Sequence, residues 1–120
     1  MADKKTILCV DDEIDILELF EDELEDSGFN VIKAGSGNEG IEAFNNNHID
    51  CLISDIRMPN GDGVSLVKNI KDQGRDIPMF LVTGFSDYSS EELAGLGVSA
   101  VIFKPFDLEE VVQMVANSLK

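Results

Sequence analysis

The feature that most limits what this chain can fold into is an alternation. Five short apolar runs, residues 6–10, 30–34, 50–54, 78–82 and 99–103, are separated and followed by longer stretches of helical period. Runs rich in Val, Ile and Leu read as strands when they are this short, and their interleaving with helices is the mark of βα units and a parallel sheet. The first helical stretch, 13–27, is the clearest, with Leu17, Phe20 and Leu24 on one face and Gly28 as its stop. Residues 38–46 carry Ile41 and Phe44, and residues 64–73 carry Val64, Val67 and Ile70 ahead of Gly74. Ser89 and Ser90 offer a cap ahead of Glu91 and Glu92, in a short helix with Leu93 and Leu96 that closes at Gly97. Asp107 can cap the last helix, whose stripe is Val111, Met114, Val115 and Leu119. Strands apolar on both faces need helices on both sides, so the fold class is α/β, an open doubly wound sheet in three layers. Five units are too few for an eight-stranded barrel.

One domain over 1–120 is the expectation from length, and 43% hydrophobic against 28% charged residues is enough for a core. Nine basic and twenty-four acidic side chains give a formal charge of −15, which repels phosphate backbones and anionic lipid headgroups. Direct binding to nucleic acid or membrane is therefore not expected. The start, MADKK, leads into no signal-type apolar segment, and no run approaches membrane-spanning length, so a cytoplasmic setting is expected. Cys9 and Cys51 sit inside apolar runs without metal-site spacing and read as buried strand residues.

In open α/β sheets ligands bind beyond the carboxyl ends of the strands. There the first run ends in Asp11 and Asp12, followed by Glu13; the third leads to Asp55, the fourth to Thr83, and the fifth to Lys104 and Pro105. Scattered surface polarity has no reason to gather carboxylates, a hydroxyl and an amine at one edge. The chemistry that suits the set is phosphoryl transfer to a carboxylate. Clustered acids bind Mg²⁺, a carboxylate such as Asp55 attacks phosphorus, and an ammonium and a hydroxyl stabilise the peripheral oxygens.

In these residues the chain resembles the receiver domains of two-component response regulators. The resemblance spans about residues 5–119 and rests on ordered motifs: Asp11, Asp12 and Glu13; Asp55 to Pro59 with Asp62 and Gly63; Val82, Thr83 and Gly84; Lys104, Pro105 and Phe106. It implies a flavodoxin-like sheet of order 2-1-3-4-5 with five helices. It implies Asp55 as phosphoacceptor, Asp12 as a direct Mg²⁺ ligand, Asp11 as a ligand often acting through water, and the Arg57 carbonyl as a further ligand. Thr83 and Lys104 would hold the phosphoryl oxygens, and the Lys104–Pro105 bond would be cis. The phosphoryl donor would be a histidine kinase or a histidine phosphotransfer protein, the receiver catalysing its own modification and switching the binding of an output protein or output domain.

Several positions depart from the family pattern. The position three before the lysine, an aromatic in many receivers, is Val101, so an aromatic swing is not expected there. Phe103 is bulkier than usual and is expected to pack against a helix or fill space. Arg57 and Phe85 flank the site, and Phe85 is a candidate shield against hydrolysis. Residues 13–26 hold eight acids and no base. This reads as a solvated face or as a surface that steers toward a basic partner. His48 reads as a loop residue. Two other functions compete: a phosphohydrolase of the haloacid dehalogenase kind, disfavoured by the missing Asp-x-Asp and cap, and a receiver-shaped module that takes no phosphate. A monomer or weak homodimer is expected, either free-standing or part of a longer regulator.

Overall fold

The computed structural model describes residues 4–58, 61–84 and 90–119. Ten elements alternate strictly: β1 Thr6–Val10, α1 Ile14–Asp26, β2 Asn30–Ala34, α2 Gly37–Asn46, β3 Cys51–Asp55, α3 Gly63–Asp72, β4 Met79–Thr83, α4 Ser90–Ala94, β5 Ala100–Phe103 and α5 Leu108–Ser118. All strand pairs are parallel and the order is β2-β1-β3-β4-β5, as expected.

Side chains alternate across each strand, and the core accordingly divides into two clusters. Leu8, Val10, Leu52, Met79 and Leu81 point to the side covered by α2, α3 and Leu93 of α4. Ile7, Cys9, Cys51, Ile53, Phe80 and Val82 point to the side covered by α1 and α5. Leu17, Phe20 and Leu24 of α1 are buried there, and Phe20 stacks on Phe106 with centroids 5.6 Å apart. Each such fully buried side chain contributes about 1.5–3 kcal/mol. The edge strand β2 is less covered, and its exposed Lys33 pairs with Glu21 of α1 at 2.9 Å.

Helix ends follow local chemistry. Asp107 caps α5 by accepting the Glu109 N–H at 2.9 Å, as anticipated, and Ser36 and Asp62 cap α2 and α3 in the same way. Gly28 and Gly74, just past α1 and α3, take φ of 95° and 78°, which supplies the left-handed turn that ends a helix. The proposed cap Ser89 lies outside the described residues. Five boundaries in three strands shift by one residue, because Asp55 and Thr83 belong to the ladder and Asp50, Pro78 and Ser99 do not. Met114 is not part of the buried stripe of α5: it is exposed, and Val112 is buried instead, which turns the helix so that Val111, Val112 and Val115 face the sheet. Cys9 and Cys51 are free and buried; burial raises the Cys9 thiol and pushes Cys51 up to about 12. His48, at the opposite edge of the sheet, is an exposed loop residue 3.0 Å from Asp50.

Candidate phosphoacceptor site

Four strand ends deliver the site to one edge. Asp11 follows β1, its N–H held by the Ala34 carbonyl at 3.1 Å, and its Oδ1 accepts the Glu13 N–H at 2.9 Å. Asp12 beside it is exposed. Asp55, the last residue of β3, is 7% exposed; its Oδ1 accepts the Ile56 N–H at 2.9 Å and its Oδ2 lies 3.3 Å from the Lys104 ammonium. Thr83 closes β4 and is buried, and its carbonyl accepts the Lys104 N–H at 2.8 Å. The Lys104–Pro105 bond is cis.

Asp11, Asp12 and Asp55 each offer a carboxylate oxygen, and these atoms all lie within 4.8 Å of one another. The charge of this group is poorly balanced. Burial pushes the Asp11 carboxyl up to about 6, with Asp55 and Asp12 adding repulsion against the help of the Glu13 N–H and Lys104. Burial also raises Asp55, although the Lys104 charge and hydrogen bond oppose it. Lys104 is itself partly desolvated, yet Asp55 and Asp11 hold its proton above the ordinary lysine range. Three clustered acids with one ammonium at hydrogen-bond range form an oxygen-only pocket short of positive charge, and a hard divalent cation suits it.

Sequence reasoning therefore placed Asp11, Asp12, Asp55, Thr83 and Lys104 at the edge where the fold brings them. Arg57 lies two residues past Asp55 with an exposed side chain. Phe85 and Pro59 lie outside the described residues. Phe103 does not pack as expected: it is 64% exposed, at the lip of a cavity of about 340 Å³ lined also by Leu93, Val98 and Val101. Ser54 was missed. It is fully buried and its hydroxyl donates to the Asp55 carbonyl at 2.8 Å. Its one signal was a hydroxyl inside an apolar run.

Residues 35–40 also spell Gly-x-Gly-x-x-Gly from the end of β2 into the first turn of α2, a pattern that in other α/β folds cradles a dinucleotide. Here packing accounts for two of the glycines. A Cβ on Gly37 would stand 2.3 Å from the Gly61 carbonyl oxygen, and one on Gly40 would stand 3.1 Å from Leu66 and Val10.

The family model described as response regulator receiver domain matches residues 7–116. The chain belongs to that family. It is 35% identical over 111 residues to the DNA-binding transcriptional regulator NtrC of Klebsiella pneumoniae, covering 92% of this chain and 24% of the relative. It is 35% identical over 116 residues to the transcriptional regulatory protein PrrA of Mycobacterium bovis, covering 95% and 49%. The receiver thus spans about half or less of the length of these relatives. Among solved structures, the chemotaxis protein CheY4 of Vibrio cholerae superposes with a TM-score of 0.88 at 28% identity, covering 98% of this chain and 100% of that one. The response regulator TrrA of Thermotoga maritima, solved in complex with Mg²⁺ and beryllofluoride, gives 0.85 at 31% identity, covering 96% and 99%. No helix among the described residues is long and apolar enough to cross a membrane.

Proposed function

We propose that residues 1–120 form one receiver domain in which Asp55 is the phosphoacceptor, with Asp11, Asp12, Asp55 and the Arg57 carbonyl as Mg²⁺ ligands. The observation that carries the reading is the placement of a buried carboxylate at the end of β3 between two further acids and the Lys104 ammonium. Mg²⁺ bound by these oxygens would neutralise charge on the incoming phosphoryl group. Asp55 Oδ2 forms a bond to phosphorus while the bond from phosphorus to the donor, the imidazole nitrogen of a phosphohistidine, breaks and the nitrogen keeps the electron pair. Lys104 then exchanges its contact with Asp55 for one with a phosphoryl oxygen, and the Thr83 hydroxyl donates to another. Attack by water on the same phosphorus returns the carboxylate and releases phosphate. Both steps belong to the domain itself, which acts as a signalling switch with no external substrate to turn over.

The donor is a histidine kinase or histidine phosphotransfer protein, met in the cytoplasm. Supporting this, an apolar groove of about 360 Å³ runs beside the site between Ile16, Leu19 and Phe20 of α1 and the segment Pro105, Phe106 and Leu108. Glu13 also lines it and α1 carries exposed acids such as Asp15 and Glu18, so the matching surface is an apolar stripe with basic flanks. The modified state is read by an output protein or an attached output domain. The test is intact mass after incubation with acetyl phosphate. Wild type gains one phosphoryl group only with Mg²⁺ and Asp55→Asn gains none; equal labelling of Asp55→Asn would refute the assignment.

A further inference from the structure

The corner where β2 turns into α2 carries none of the acids, hydroxyl or ammonium of the site, yet it touches both sides of it. On one side the Ala34 carbonyl accepts the Asp11 N–H at 3.1 Å; on the other the Gly37 N–H donates to the Gly61 carbonyl at 3.0 Å. Gly37 is the first residue of α2, so this bond satisfies one of the helix's four unpaired donors with the backbone of a neighbouring loop. Two residues past Gly61, the Gly63 N–H closes on the Ile56 carbonyl at 2.9 Å. A Cβ on Gly63 would stand 2.3 Å from the Asp55 carbonyl oxygen. A continuous backbone chain therefore runs from the Asp11 turn through 34–37 and 61–63 to Asp55.

This contact leaves no room for side chains. A Cβ on Gly37 would stand 2.3 Å from the Gly61 oxygen, and one on Gly61, which sits at a φ of +101°, would meet the Asn38 nitrogen at 3.2 Å. Mg²⁺ demands near-ideal octahedral geometry, so a displacement of one carboxylate against the others weakens its site.

We propose that Gly37 is a positioning residue for the cation site: through its contact with Gly61 it fixes the spacing between the Asp11 and Asp12 turn and the Asp55 carboxylate. The inference rests on reading those acids as a Mg²⁺ site. The added methyl of Gly37→Ala must push the 61–63 segment away, whereas Gly28→Ala, at a φ of +95° but with nothing within 4 Å, strains only its own backbone far from the site.

The experiment is a Mg²⁺ titration of wild type, Gly37→Ala and Gly28→Ala by calorimetry, well below each unfolding temperature. Gly37→Ala is expected to raise the Mg²⁺ Kd roughly tenfold, the range seen when supporting residues around metal ligands are changed, while Gly28→Ala leaves it unaltered. An unchanged Kd in Gly37→Ala, or an equal rise in Gly28→Ala, overturns the proposal. Should Gly37→Ala not fold, amide exchange in wild type decides. Mg²⁺ is expected to slow exchange at Gly37 roughly tenfold and to leave Gly28 and Gly74 as they were; an unaltered Gly37 overturns it. Wild type that binds no Mg²⁺ removes the cation reading and the inference with it, whereas binding by wild type with an unchanged Gly37→Ala defeats the inference alone.

Discussion

Without a cation, Asp11 works against the fold, and the size of that penalty can be worked out. Its carboxyl is pushed from 3.8 up to about 6, first by burial and then by the charge of Asp55 and Asp12. Each tenfold change in proton affinity is worth about 1.4 kcal/mol, so holding Asp11 ionised in the folded state costs about 3 kcal/mol. The sign follows from proton uptake. Between the two pKa values the folded state binds more protons than the unfolded state, so stability falls as pH rises from about 4 to 6 and the full penalty stands above 6. Relief of the overall −15 charge acts in the same direction, so wild type must be compared with Asp11→Asn, whose amide oxygen still accepts the Glu13 N–H. In chelator, urea unfolding followed by circular dichroism should find Asp11→Asn more stable than wild type by about 2–3 kcal/mol at neutral pH, the gap closing toward pH 4. Saturating Mg²⁺ should stabilise wild type and not the variant. A gap that is absent, or constant with pH, would refute the electrostatic argument.

Three further outcomes follow from the geometry. Lys104→Ala removes the ammonium 3.3 Å from Asp55, and its rate of phosphorylation by acetyl phosphate is expected to fall about a hundredfold. Val101→Phe places its ring toward a cavity of about 340 Å³, and thermal unfolding should detect a change of less than about 1 kcal/mol; a loss of several would mean the space is closed to it. Leu19→Glu puts a further acid on the apolar groove beside α1, and phosphoryl transfer from a phosphotransfer partner should slow while transfer from acetyl phosphate does not.

The sheet was legible because parallel strands buried on both faces leave unbroken apolar runs, and the site was legible because those runs stop at charged or hydroxyl side chains. The same logic explains the errors at the boundaries. Asp55 and Thr83 look like the first loop residues, yet they pair with Val82 and Phe103 inside the ladder, so the strands are one residue longer at the functional edge. The rotation of α5 that buries Val112 in place of Met114 depends on how the helix packs on β4 and β5, which its 3.6-residue period leaves open within one residue. Phe103 is hydrophobic and its type suggests packing against a helix or filling space, but it ends the edge strand β5 and stands 64% exposed beside the cavity it shares with Leu93 and Ala94. The contact of Gly37 with Gly61 joins two loops distant in sequence, and such backbone contacts leave no periodic trace.

The most direct test of the central claim is a crystal structure of the protein grown with Mg²⁺ and beryllofluoride, which mimics a phosphoryl group. The account predicts beryllium on the Asp55 carboxylate, its fluorines facing Thr83 and Lys104, and the cation held by Asp11, Asp12, Asp55 and the Arg57 carbonyl. An adduct on Asp11 or Asp12, or a cation bound away from these carboxylates, would contradict it.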